Sequence, residues 1–569
     1  MAGGLAPDQL GSLVSIDASL RWFAASGEDT EAVVAPFFGS LAMQHAAERE
    51  LAKEGFDRET LGPEGFGARV RTFEEAWRAE AASSLERLGV SFAGMVLRAA
   101  TDAPEVVDAA RVAFVRLYDA GLLELADRVV DVCPRCATVV HAADAERTTF
   151  AGEALTLRLA MADGDAGHVD VRVQRPELIP GAVAVAVPAG HPVDGGFVVL
   201  PIVGRAIPVV ADLETETPML VIAAHDRRGH EIARRAGLVP IEVLAADGTV
   251  QSPAALGGLP QFGARVEVTA LLDAEGVVVA REPIDDTVSQ CRGCGTVLVP
   301  RLGRHWFLHT AEIEFAAADA VRQGALRFSP PAARQDFINW AGYSRDWCLS
   351  HQVWGGHAIP VAVCTDCGEV AVALDPPRAC RKCLAEVVPD TAVFDARFLG
   401  VMWALATAGW PAPRAPVAET GVRTSLAVRP AGLFTWAVPM AALGLWLAKA
   451  MPFSTVVVHE ATPGPDDAAL AEESVAAARL AVLAGDGDLE RGRALAAAID
   501  STLPGAAALD ALEAEMAVAC ADLRPAAVLP ALSTVLREGI DPTERFRLGR
   551  ITAALIGDAG EEGDGNGLR

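Results

Sequence analysis

Four Cys-x-x-Cys pairs, Cys133/Cys136, Cys291/Cys294, Cys364/Cys367 and Cys380/Cys383, take up eight of the ten cysteines in the chain. Two thiolates two residues apart can grip one metal ion from a tight turn, and two such turns close a tetrahedral four-cysteine zinc site with no open position. Twelve residues separate the last two pairs, a spacing that closes into one zinc ribbon. About 150 residues separate the first two, so a shared ion there demands a fold that brings both turns together around an insertion. Buried or redox-active thiols are the alternative, but paired turns rarely recur four times by accident. The expectation is two structural zinc ions, bound by Cys133/Cys136/Cys291/Cys294 and by Cys364/Cys367/Cys380/Cys383.

A chain of 569 residues, 51% hydrophobic and 22% charged, has room for three or four globular units. Its net charge of -27 argues against an extended phosphate-binding surface, because nucleic-acid affinity is built from clustered Lys and Arg. Only three lysines occur, Lys53, Lys382 and Lys449. The opening residues lack a basic stretch followed by an apolar one, so no signal peptide is expected. The apolar run Gly432 to Leu447 contains Pro439, falls short of ~20 residues and ends at Lys449, and so reads as a buried core helix with no membrane partner. Unpaired Cys348 and Cys520 beside Cys-x-x-Cys pairs suit a reducing, cytoplasmic setting.

Apolar positions at three- and four-residue steps make the chain mostly helical up to about residue 130, through Glu48–Glu50, Phe73–Trp77 and Val112–Leu123. From about 151 to 285, short Val- and Ile-rich runs such as Ala182–Val187 and Val198–Val203 alternate with Gly and Pro turns, giving a β-rich insertion. Helical signals return at Ala316–Gln323. Residues Asp466 to Leu555 are Ala-, Leu- and Glu-rich with helical period, and the Gly- and acid-rich tail should be disordered.

The stretch from Ser344 through Arg345, Asp346, Trp347 and Cys348 to Trp354, His357 and Pro360 resembles the "RDWCISRQLWWGHRIP" signature of class I aminoacyl-tRNA synthetases of the valine type. Other matches follow in the family's order. Phe114–Tyr118 with Cys133–Cys136 resembles its first zinc hairpin, and Arg175-Pro176-Glu177 with Ala224-His225-Asp226 resembles its editing insertion. Val299–Leu302 with Trp306-Phe307, then Asp395 with Trp403 and Gly409-Trp410-Pro411, resemble the segments after the insertion. The resemblance implies an α/β protein: a Rossmann-like class I synthetase core split by a β-rich editing-like insertion, with zinc hairpins and a short C-terminal helical bundle. The implied units are residues 1–150, a first half-core with the first zinc hairpin; 151–285, editing-like; 286–460, the second half-core with the ribbon; 461–556, the bundle; and 557–569, an acidic tail. The family's C-terminal arm is expected to have no counterpart.

Amino-acid activation requires cations and oriented N–H groups on the phosphates of ATP, which the family supplies with a His-x-Gly-His turn and a Lys-Met-Ser-Lys-Ser loop. The first 44 residues hold no histidine, and after Val456–His459 the chain reads Glu460-Ala461-Thr462-Pro463-Gly464-Pro465-Asp466-Asp467, with no lysine beyond Lys449. Acids in that loop would repel a triphosphate. The family's "GTDHAGIATQ" aligns with Ala35–Gln44, so Phe37 and Phe38 replace an aspartate and a histidine, and Arg397 replaces a tryptophan.

The resemblance carries Arg175 and Asp226 over as the remnant of an editing pocket, whereas Leu220 and Gly229 stand where the family has a lysine and an acid. The expectation is a pseudo-enzyme that binds a protein partner or small metabolite, with tRNA contact disfavoured by charge. A deacylase using Arg175 and Asp226 is the second reading, and an active ATP-dependent ligase the third.

Overall fold

A computed structural model describes residues 7–25, 39–90, 100–162, 167–251, 253–342, 345–412 and 425–459, with isolated positions at 5, 516 and 555. The expected bundle, the acidic loop after His459, the Phe37/Phe38 pair and Cys520 lie outside the described residues.

The early helices follow their sequence signals closely. Ser40 caps the helix Leu41–Lys53 by accepting from Met43 N at 3.3 Å. Asp57 caps Arg58–Arg87 through Thr60 N at 2.7 Å, and that helix kinks where Gly62 (φ 66) precedes Pro63. The two helices meet through Ala47, Leu51, Phe66 and Val70, against Trp354 of the signature stretch. Pro104 opens the helix Pro104–Asp119, whose Val106, Ala109, Ala110, Ala113, Phe114 and Leu117 form one buried stripe.

That helix stops earlier than its composition suggests. Gly121 adopts a left-handed conformation (φ 73), and Leu123–Cys133 is a strand rather than a helical continuation. It pairs antiparallel with Val299–Leu308, from Leu123 opposite Leu308 to Val132 opposite Val299.

A second ladder, Ala145–Ala160 against Val278–Cys291, bounds the β-rich region and sets Ala145 opposite Cys291. Between these strands lie His168–Val173, which extends the same sheet, a four-stranded sheet, and the helices Arg227–Arg235 and Gln261–Ala274. This region has its own core, built on Leu155, Leu157, Val171, Ile179, Val185, Val209 and Val268.

The other large core joins the helices Pro104–Asp119, Ala311–Arg322 and Ala396–Thr407 to a three-stranded parallel sheet of Arg327–Ser329, Thr455–Val458 and Ser425–Val428. Its centre is aromatic: Phe114 lies 5.3 Å from Trp306 and 5.9 Å from Phe394, which stacks on Phe398 at 5.7 Å. Each such pair adds about 0.5–1.5 kcal/mol beyond area burial. Three chain segments are pinned at one place.

The helical run Pro430–Ala448 is long and apolar enough to cross a membrane. Its Leu433, Ala437, Val438, Met440 and Leu443 are nevertheless buried in this core, as expected of a core helix. Pro439 offers no N–H, and the turn before it, Leu433–Ala437, widens into a π-helix.

Candidate functional site

The two ladders leave Cys133 and Cys291 at neighbouring strand ends. Each of the four Cys-x-x-Cys turns then closes identically. The residue after the second cysteine is left-handed, as Ala137 (φ 53), Gly295 (φ 70), Gly368 (φ 68) and Leu384 (φ 65). Its N–H donates to the carbonyl of the first cysteine, at 2.8, 2.8, 3.1 and 3.0 Å. Such a turn aims both thiols to one side.

In the first cluster, Cys294 Sγ lies 3.5 Å from Cys133 Sγ and 3.6 Å from Cys136 Sγ. In the second, Cys364 and Cys383 sulfurs are 3.3 Å apart, and Cys367 lies 3.6 Å from Cys380 and 3.5 Å from Cys383. Sulfurs bound to one tetrahedral zinc at ~2.3 Å stand about 3.8 Å apart, so both donor sets fit such an ion. Hydrogen bonding from Cys133 and Cys136 pulls the Cys291 thiol down, whereas hydrogen bonding to Cys133 pushes Cys136 up. A divalent ion would let every sulfur ionise.

A residue outside the spacing pattern joins the first cluster. His45 Nε2 lies 3.0 Å from Cys136 Sγ, and His45, Cys136, Cys291 and Cys294 place donor atoms within 4.8 Å of one another. A lone histidine 91 positions upstream of Cys136 carries no motif, so sequence spacing could not have found it.

The signature stretch lies between this cluster and the aromatic core. Asp346 accepts from Arg128 Nη1 at 2.6 Å and lies 2.9 Å from His309 Nδ1. Trp347 Nε1 donates to Asp395 Oδ2 at 2.7 Å. Arg397 Nη2 donates to the same oxygen at 2.5 Å, and Arg397 N to Oδ1 at 3.1 Å. Both partners are under 10% exposed. Burial pushes Asp395 up to about 7 and pulls Arg397 down to about 9, while the two remain bonded to each other. Cys348, beside Trp347, is pushed up to about 12 by burial, so it is no nucleophile near neutrality.

The turn after Phe38 packs on the same stretch. Gly39 N donates to Glu74 Oε1 at 2.9 Å, and Gln44 Oε1 accepts from Trp354 N at 3.0 Å. Burial pushes Glu74 up to about 7.

Arg175 and Asp226 come into one neighbourhood, where the Asp226 charge acts on Arg175, but their contacts are structural. Asp226 caps the helix Arg227–Arg235 by accepting from Gly229 N. Arg175 stands 3.7 Å from Glu177, which is already bonded by Gln261 and by both Nε and Nη2 of Arg265. A side chain at Gly229 would meet Asp226 Oδ2 and Ile222 N at 3.0 Å, so this turn is tightly packed. His225 is a joint: its Nε2 accepts from Val243 N at 2.9 Å, and its Nδ1 faces Pro300 O at 2.9 Å.

Residues 14–464 match the model of the tRNA synthetases class I (I, L, M and V) family. The chain is 32% identical over 458 residues to a valine–tRNA ligase of Desulfotalea psychrophila, covering 78% of this chain and 51% of that one. It is 34% identical over 461 residues to the valine–tRNA ligase of Geobacter sulfurreducens, with 78% and 51% covered. It therefore spans about half the length of these curated relatives. An Agrobacterium radiobacter LeuRS solved with tRNA and LeuAMS aligns over 98% of this chain and 81% of its own, at 13% identity and a TM-score of 0.49.

Proposed function

The chain belongs to the class I tRNA synthetases and is of the valine type, and from that premise we propose that it is a pseudo-synthetase: a synthetase scaffold without amino-acid activation that works by binding a protein partner or a small metabolite. One observation carries this reading. The lysine loop and the His-x-Gly-His turn that the family sets on the triphosphate have no counterpart in the sequence, since Lys53, Lys382 and Lys449 are its only lysines and none follows Val456–His459. Lys53 pairs with Glu50 at 2.7 Å, Lys382 faces Glu369 at 3.6 Å, and Lys449 stands 5.4 Å from the Trp446 ring. Arg397, where the family places a tryptophan, is committed to Asp395. A buried cation is thereby spent inside the protein.

Two structural zinc ions belong to this proposal, held by Cys133, Cys136, Cys291 and Cys294 and by Cys364, Cys367, Cys380 and Cys383. When bound, the first would cross-link distant chain segments and the second would close the local ribbon, neither with an open position for substrate. The β-rich region would be the editing-like unit, reduced to scaffold.

Valine- or isoleucine-dependent ATP–pyrophosphate exchange tests the reading. Exchange at the enzyme-free level is expected. Exchange above it, abolished by a substitution within this chain such as Arg397→Ala, would overturn the proposal. The deacylase reading rests on the shared neighbourhood of Arg175 and Asp226. The capping role of Asp226 and the tightly packed Gly229 turn weigh against it.

A further inference from the structure

We propose that His45 is a fifth donor of the first metal centre, an imidazole that competes with Cys133 for the fourth coordination position and ties the Leu41–Lys53 helix to metal loading. A tetrahedral ion needs four donors, and five stand around this one place: His45, Cys133, Cys136, Cys291 and Cys294. The set whose donor atoms all lie within 4.8 Å of one another comprises His45 and the last three cysteines.

The imidazole has a built seat. It is 3% exposed, and a Cβ placed on Gly293 would meet His45 Nδ1 at 1.6 Å and Cε1 at 2.2 Å. Gly293 lies inside the Cys291-x-x-Cys294 turn, and the ring occupies the space that its lack of a side chain leaves. Leu41, one helical turn before His45, packs in the same cluster as Cys133, Cys136 and Cys291. Two side chains on one face of the helix therefore rest on the metal centre.

Charge favours the exchange. Four thiolates around Zn2+ leave a net charge of −2 on a cluster in which three donors are almost wholly buried, with Cys133 0%, Cys136 2% and Cys291 1% exposed, and Cys294 is half-buried. Replacing one thiolate with a neutral imidazole, with the displaced Cys133 taking up a proton as a thiol, leaves −1, and the desolvation cost falls with the buried charge. The coordinated helix begins at Leu41, inside the Ala35–Gln44 stretch that aligns with the family's amino-acid-binding segment. Metal loading would hold the start of that helix in place through His45 whether or not activation chemistry survives.

Cobalt substitution of the full chain tests this, because tetrahedral Co2+ bands count ions and thiolate charge-transfer intensity counts sulfur ligands. Wild type should bind two ions. Cys133→Ala should still bind two, with first-site affinity lowered about 10- to 100-fold. Cys133→Ala with His45→Ala should bind one. Cys133→Ala with Gly293→Ala, which expels the ring and keeps every other sulfur, should also bind one. The ion held by the second cluster serves as the folding control in each variant. Loss of one ion by Cys133→Ala alone would overturn the proposal, as would a wild type that binds only one, or a Cys133→Ala/His45→Ala protein that still binds two.

Discussion

Cys136 and Cys294 bring their sulfurs to 3.6 Å although 158 positions separate them. Two antiparallel ladders make this possible, Leu123–Cys133 on Val299–Leu308 and Ala145–Ala160 on Val278–Cys291, which enter and leave the β-rich region side by side. A metal ion here would cross-link the two halves of the synthetase core. The purified protein should carry two zinc ions, and Cys294→Ser should lose one of them. Elemental analysis is the measurement, and one zinc or none in the wild type would remove the first site. Because binding energy of a structural zinc is folding energy, chelation should lower the thermal midpoint.

Arg397 and Asp395 form a buried ion pair whose halves are unequal in consequence when lost. Arg397→Ala leaves a buried carboxylate without its cation and should cost about 3–5 kcal/mol in urea unfolding. Burial already pushes Asp395 up to about 7, and removing the guanidinium pushes it further. A carboxyl whose folded pKa exceeds its unfolded value favours the fold when protonated, so the variant should gain stability as pH falls from about 8 toward 5. A loss independent of pH would show that Asp395 is not the group left stranded.

His225 should confer acid sensitivity on the joint between the β-rich region and the core. Burial pushes it down to about 4 from an ordinary 6.5, and its Nε2 is an acceptor for Val243 N. Such a group contributes stability fully above the unfolded pKa of ~6.5 and loses it as pH falls toward 4. The contribution amounts to at most about 3 kcal/mol. Comparing wild type with His225→Gln by urea unfolding from about pH 4 to 8 isolates it from other groups. The advantage of wild type should shrink below about pH 6.5, and an advantage constant across the range would contradict the neutral, accepting imidazole.

Local chemistry was easy to read in the sequence, and long-range partnership was not. The four Cys-x-x-Cys turns announce themselves through spacing alone, and the pairing of the second two follows from their closeness. Pairing the first two needed the collinear resemblance, because nothing local links Cys136 to Cys291. The helical reading ran too far, into Leu123–Cys133, because Glu124, Leu125, Ala126 and Arg128 are good helix formers. Gly121 was the stop signal, and strand pairing with Val299–Leu308 overrode propensity beyond it. His45 was invisible for another reason. Its role depends on the bare backbone of Gly293, a distant residue whose glycine identity looks like ordinary turn chemistry until the ring is placed against it.

Asp226 separates the pseudo-synthetase from the deacylase. A deacylase would use its carboxylate to anchor the substrate ammonium, and Asp226→Ala would then cost about 2–4 kcal/mol in transition-state binding. In the fold, that carboxylate accepts from Gly229 N and caps the helix Arg227–Arg235. Its loss should therefore appear as stability, at about 1 kcal/mol for an N-cap, and Asp226→Asn, which can still cap, should recover most of it. Release of free amino acid from threonyl- and valyl-tRNA of the valine isoacceptor should equal the buffer blank for wild type and both variants. A side chain at Gly229 would crowd Asp226 Oδ2 and Ile222 N at 3.0 Å, and Leu220 supplies no cation where the family has a lysine. Hydrolysis by wild type that disappears in Asp226→Ala, with folding intact, would overturn the binding-only view and establish the β-rich region as catalytic.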